Sequence, residues 1–243
     1  MENQYQRIPR HLYEYRKRLN FTQDQFSRMW NLSQNYYTEL ESGHYRLTYE
    51  NLIQFSENGG DVAYIITGEE TVSGIVQKYM RSIQTEKMKL RFLECVQVLV
   101  KLGCDFISKD KTKHLDIPEA YIRFAAVERE KYTIWENIRR VEGLSQVQMA
   151  EILDVQVKTY RKIEKMQKGP GAEILQIMYQ RLGYSPWIFI DRRKYQISEL
   201  NRIWDIFPPH IQQDLEKDLQ GIANSIEKYE ISNDDKECID FRG

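Results

Sequence analysis

Between Gln156 and Lys168 five cations, Lys158, Arg161, Lys162, Lys165 and Lys168, stand against one anion, Glu164, a local charge of +4. Spaced three and four residues apart, such a run lines one side of a helix and could neutralise the phosphates of a nucleic-acid backbone. Taken alone, it reads as a solvated helix face. Other residue types capable of chemistry are scattered. His11, His44, His114 and His210 have no partners at the spacing of a metal site or a catalytic triad. Cys95, Cys104 and Cys238 form no CxxC pair, and an odd number fits neither a disulfide framework nor a zinc ribbon, so a reducing compartment is the simplest reading. No enzyme constellation, metal site or cofactor is expected.

The composition bounds what can carry the basic run. With 243 residues, 41% of them hydrophobic, 12% aromatic and only 12 Gly and 6 Pro, the chain can build cores, which excludes disordered and collagen-like classes. Thirty-five Lys and Arg against 36 Asp and Glu leave a formal charge of −1, so overall charge names no partner and local patches must. The N-terminus is polar, and no stretch nears the roughly 20 apolar residues of a bilayer span. A soluble cytoplasmic protein is expected.

Strand signals are few, whereas apolar residues recur at i, i+3 and i+4, so the fold class is read as all-α. One internal register persists. Phe21-Thr22-Gln23 falls on Leu144-Ser145-Gln146, 123 residues later, and without a gap Arg16 falls on Arg139, Phe26 on Met149, Trp30 on Leu153, Tyr37 on Tyr160 and Glu41 on Glu164. Met88, Phe92 and Val96 fall on Ile211, Leu215 and Leu219 with the same shift. A long period present twice indicates a duplicated domain. The expected division is a first head at 1–70, a helical tail at 71–118, a second head at 119–192 and a C-terminal tail at 193–243, with the copies meeting in the charged stretch 108–118. Two arrangements are open for the tails. Each packs on its own head, or they pair with each other or with those of a second chain as a homodimer element.

Within each head the spacing predicts two short helices joined by a tight turn. Thr22 and Ser145 are N-cap candidates for the first helix, Ser33 for the second in copy one. Asn31 and Asp154 stand where the turn needs a positive φ, and Ser27 and Ala150 are small where the second helix must cross closely. Trp30, Tyr37 and Tyr160 read as core. Gly43 ends the second helix of copy one; Met166 stands at that position in copy two, so its stop is expected to shift to Gly169-Pro170-Gly171.

Over residues 8–68 and 131–191 these features resemble the Cro/repressor helix-turn-helix family, also called the XRE family. The pattern is carried by Phe21-Thr22-Gln23, Ser27, Asn31, Leu40-Glu41-Ser42-Gly43 and Tyr64-Ile-Ile-Thr-Gly68, and again by Leu144-Ser145-Gln146, Ala150, Asp154 and Ile163-Glu164. The resemblance implies two lambda-repressor-like DNA-binding domains, each followed by a helical tail, and a buried pair between Arg16 and Glu41 and between Arg139 and Glu164. It places Gln23 and Gln146 on backbone phosphate. Base-edge candidates are then Gln34, Asn35, Thr38 and Glu39 in the first copy, and Val157, Lys158, Arg161 and Lys162 in the second. Ser33, Tyr36, Thr159, Lys165 and Lys168 are placed at phosphates.

Gln34 and Asn35 suit bidentate contact with adenine. From Ser33 to Arg46 the charge is −1, so the second head is expected to grip and the first to discriminate. The expected function is a sequence-specific transcriptional regulator that binds double-stranded DNA, with a non-palindromic site for a monomer or a longer composite site for a homodimer. The rival reading is an antitoxin-like or anti-repressor interaction module in which one head has lost DNA contact, which the acidic Glu39 favours for the first. A weaker third reading makes the tails a pocket for a small-molecule or peptide effector, although no residue identifies one.

Overall fold

The computed structural model describes residues 7–71, 73–109, 124–125 and 131–240, and every regular element among them is helical. The expected copy boundary at 110–118, with His114, lies outside the described residues. The first copy runs α1 (Arg7–Arg18), α2 (Gln23–Met29), α3 (Gln34–Glu41), α4 (Tyr49–Glu57) and α5 (Val62–Thr67). After α6 (Ile75–Met80) and α7 (Glu86–Lys109) come α8 (Ile134–Val141), α9 (Gln146–Ile152), α10 (Val157–Glu164), α11 (Ala172–Leu182) and α12 (Trp187–Ile190). The chain ends in α13 (Arg192–Ile206) and α14 (Pro209–Asp240). Both bounds of α9 and α10 lie 123 residues after those of α2 and α3, and α11 and α14 start 123 residues after α4 and α7.

The chain divides into two compact units, one of residues 1–71 and 126–195, the other of 72–125 and 196–243. In the first unit, α2 and α9 start on capping boxes, Thr22 with Gln25 and Ser145 with Gln148. The turn then closes the same way twice. Asn31 at φ 57° and Asp154 at φ 54° reverse the chain, and the amides of Leu32 and Val155 donate to the carbonyls of Ser27 and Ala150 at 2.9 and 3.0 Å. Short polar side chains tolerate this left-handed conformation better than most.

The two cores hold equivalent volume in different places. Leu12 and Trp30 are fully buried in the first copy; 123 residues on stand Trp135 and Leu153, equally buried. Exchanging a large and a small apolar side chain keeps total volume, the kind of change a core tolerates best. Trp30 meets Phe55 in a tilted pair with ring centroids 4.2 Å apart and lies 5.6 Å from Phe26, whereas Trp135 stacks at 4.2 Å on Phe189. The copies dock through backbone as much as through side chains. Ala172 N donates to Leu47 O at 3.1 Å, Tyr49 OH to Phe189 O at 2.7 Å, and the buried Gln176 Nε2 to Ile66 O at 3.2 Å.

The position of Met166 corrects one expectation. The second helix of copy two does not run on toward Gly169-Pro170-Gly171: α10 ends at Glu164, and Met166 takes φ 56° where Gly43 takes φ 82°. The glycines are used for docking instead, since a Cβ on Gly169 would lie 2.4 Å from Tyr49 Cβ. A left-handed residue with a side chain costs roughly 1–2 kcal/mol, part of which glycine returns through its freer unfolded chain. Met166→Gly is therefore expected to stabilise the protein by about 0.5–1 kcal/mol. Gly43→Ala, whose Cβ would meet Pro9 Cγ at 3.2 Å, is expected to destabilise it; urea melts of both variants check the opposite signs.

In the second unit α14 packs along α7, with α6 against both, so the tails pair with each other. Phe92, Val96, Val100, Ile203, Trp204, Leu215 and Leu219 form its core. A Cβ on Gly103 would lie 2.8 Å from the Phe207 ring, which explains a glycine inside a long helix. Pro208 and Pro209 end α13 and start α14, and the Gln212 amide bonds the free carbonyls of Trp204 and Phe207 at 3.0 and 2.9 Å. At the head of α7, the Glu230 carboxylate accepts from Gln84 N, Thr85 N and Thr85 Oγ1 at 2.6–3.0 Å. Burial pushes this carboxyl up, but these hydrogen bonds outweigh it and hold it below its ordinary value.

Candidate nucleic-acid interface

Each second helix is fixed from below by a buried ion pair. Arg16 donates from Nε and Nη2 to the two oxygens of Glu41 at 2.8 and 3.0 Å, and its Nη1 reaches Phe21 O at 2.9 Å. Arg139 Nε donates to Glu164 Oε1 at 2.5 Å, and its Nη1 reaches Leu144 O at 3.1 Å. Tyr37 OH donates to Glu41 at 3.2 Å and Tyr160 OH to Glu164 at 3.1 Å, and burial pushes both phenols up. At Glu164 burial alone would raise the carboxyl, yet the bonds from Arg139, Gln146 and Tyr160 together hold it below the usual range. These glutamates are therefore clamps, and neither adds negative charge to the outer face.

Gln23 and Gln146 join the first helix of each pair to the second. Their Nε2 atoms donate to Glu41 and Glu164, each at 2.5 Å. Gln23 Oε1 accepts from Thr38 Oγ1 at 3.3 Å, and Gln146 Oε1 accepts from Arg161 Nε at 3.1 Å. The acceptor is the same in both copies and the donor differs, so Gln146 aims a cation where Gln23 aims a hydroxyl.

On the outer side of α3, Ser33, Gln34 and Asn35 are exposed, Ser33 capping the helix by accepting from Tyr36 N at 3.3 Å. Thr38 and Glu39 are half-buried. Glu39 pairs with His44 Nδ1 at 3.0 Å. Tyr36, half-buried, donates to Asn51 Oδ1 at 3.2 Å and lies 5.5 Å from the Tyr45 ring. On α10 and the loop after it, Lys158, Arg161, Lys162, Lys165 and Lys168 are all exposed, while Val157 and Thr159 are half-buried. The helix face thus collects Lys158, Arg161 and Lys162 beside Gln146. Sequence reading missed His44 and Tyr45. An exposed aromatic one turn past a helix end was the available signal for Tyr45.

The loop after α3 also meets the turn of the second pair. An open cleft of about 600 Å³ is lined by Arg46, Tyr49, Asp154, Val155, Lys168 and Glu173 among others, and Arg46 Nε lies 3.6 Å from Glu173 Oε1. The two helix pairs are consequently held by packing, not by a free tether. Among the described residues no cluster of His, Cys, Asp and Glu could hold a metal ion, and no helix is long and apolar enough to cross a membrane.

A family model for a helix-turn-helix domain matches residues 10–69, which span α1 to α5. The chain therefore carries a helix-turn-helix domain, a DNA-binding architecture, over these residues. No curated protein and no solved structure matches it.

Proposed function

We propose that this protein is a sequence-specific transcriptional regulator that reads double-stranded DNA with two helix-turn-helix heads on one chain, of the Cro/repressor (XRE) type. One observation carries the proposal for the second head: α9 and α10 repeat α2 and α3 in bounds, positive-φ turn, small crossing residue and buried Arg–Glu clamp. In both copies the outer face of the second helix is open to solvent. That is the face such a motif lays in the major groove.

The two faces suit different tasks. Lys158, Arg161 and Lys162, the base-edge candidates of the second face, join Lys165 and Lys168 at phosphates to give it the positive charge that dominates affinity. Gln34 and Asn35 supply amides matched to adenine edges, and Thr38 and Glu39 complete the first reading face. Ser33, Tyr36 and Thr159 lie at the helix starts, where phosphates pass, and Val157 offers an apolar contact. Gln23 and Gln146 act by orienting the reading helix through the clamp. Because the copies dock through Leu47, Tyr49 and Gln176, the separation of the two sites on DNA is set by the protein.

Selection of bound sites from random duplex DNA by the full chain tests this reading. The expected product is an asymmetric two-part site, repeated as a longer composite where the chain binds as a dimer. Gln34→Ala with Asn35→Ala is expected to relax preference in one part only. If selection instead returns a single short motif that substitutions on α10 leave untouched, the second head is not a reader.

A further inference from the structure

Helix α7 carries more apolar surface than its own unit covers. One face, with Phe92, Val96 and Val100, is buried against α14 and its neighbours. Alongside it run Cys95, Val98, Leu102 and Phe106, at i, i+3, i+7 and i+11, which at about 100° per residue share one narrow stripe. Val98 is 59% exposed, Leu102 43% and Phe106 54%. Spacings of three and four residues are what a helix presents to a second helix crossing at a shallow angle.

We propose that this stripe is an interface with a second copy of this chain, the two α7 helices pairing antiparallel about a two-fold axis near Val98. The charges beside the stripe select that partner and direction. The four nearest Val98 read, in chain order, Arg91, Glu94, Lys101 and Asp105, alternating in sign. Reversed about Val98, Arg91, seven residues before it, faces Asp105, seven after, and Glu94 comes within one residue of facing Lys101. A parallel pairing in register would set each charge against its own kind. The pattern is self-complementary under a two-fold rotation, as an interface between identical chains requires. Within one chain Arg91 pairs with Glu94 at 2.8 Å, and both side chains are solvent-exposed, so this pair is free to exchange partners. The stripe belongs to the tail unit, and its pairing does not depend on how the heads read DNA.

Sedimentation velocity of the full chain without DNA, over a concentration series, provides the test. The expected species has twice the chain mass. Leu102→Glu is expected to give the single-chain mass with an unchanged helical circular-dichroism spectrum, because the side chain is exposed in one copy. Arg91→Asp is expected to weaken the dimer at least tenfold, and Arg91→Asp with Asp105→Arg to restore it. A wild-type chain that stays at single-chain mass overturns the proposal, as does a dimer that neither Leu102→Glu nor Arg91→Asp weakens. A dimer weakened by Arg91→Asp but not restored by the double swap overturns the antiparallel register.

Discussion

Glu164→Ala is expected to cost about 3–5 kcal/mol of stability, the largest loss from any single polar substitution in α8 to α12. Its carboxylate is 6% exposed, its partner Arg139 15%, and it accepts from three donors at 2.5–3.1 Å. Removing it leaves a guanidinium and a phenol hydroxyl with one acceptor fewer where water cannot fully replace it. The loss reports an uncompensated charge, not the net worth of the pair, so Arg139→Met with Glu164→Leu is expected to recover most of it. The effect has a pH signature as well. The folded carboxyl titrates below its ordinary value of 4.5, so its stabilisation is complete above that pH and is lost as pH falls through the folded value. Urea denaturation of the wild type between pH 3 and 7 should lose stability over that acid range, and the alanine variant should lose less. Equal acid sensitivity in both would show that Glu164 is not the titrating clamp.

Arg161→Glu with Lys162→Glu is expected to lower DNA affinity about 100-fold at physiological salt and to reduce the slope of log affinity against log salt by about 2. Both side chains are exposed on α10, so the melt should not move. The mechanism is loss of two phosphate-neutralising cations, made worse by two new anions at the same place. Arg161 contributes more than charge, because Gln146 holds its Nε at 3.1 Å and so fixes where the guanidinium points. Gln34→Ala with Asn35→Ala should behave oppositely, losing roughly 1–3 kcal/mol of discrimination per base while the salt slope stays. Fluorescence anisotropy across a salt series separates the two patterns. An unchanged affinity and slope for the α10 variant would remove that helix from the interface.

Much of this architecture can be read from the sequence because it depends on local chemistry. Thr22, Ser33 and Ser145 cap helices by bonding an amide three residues on, and Asn31 and Asp154 are among the few side chains that suit a left-handed turn, so residue type alone marks both. The buried pairs were implied by the family resemblance, which sets Arg16 against Glu41 and Arg139 against Glu164. Met166 was misleading because a missing glycine suggests a displaced helix end, whereas the surrounding core fixed the turn and a side chain was forced into it. The docking of the two copies was not legible at all. It runs through the carbonyls of Leu47, Ile66 and Phe189, groups that every residue possesses and no sequence pattern reveals. Pairing of α7 with α14 was one of two arrangements the apolar runs allowed. The contacts along the two helices, with the partners of Gly103 and Glu230, distinguish it.

The central claim is that both helix pairs engage one duplex at once. Hydroxyl-radical footprinting of the full chain on a selected duplex measures this directly. Two separate protected patches are expected, one lost with Gln34→Ala and Asn35→Ala, the other with Arg161→Glu and Lys162→Glu. A single patch that survives the α10 substitutions would contradict it.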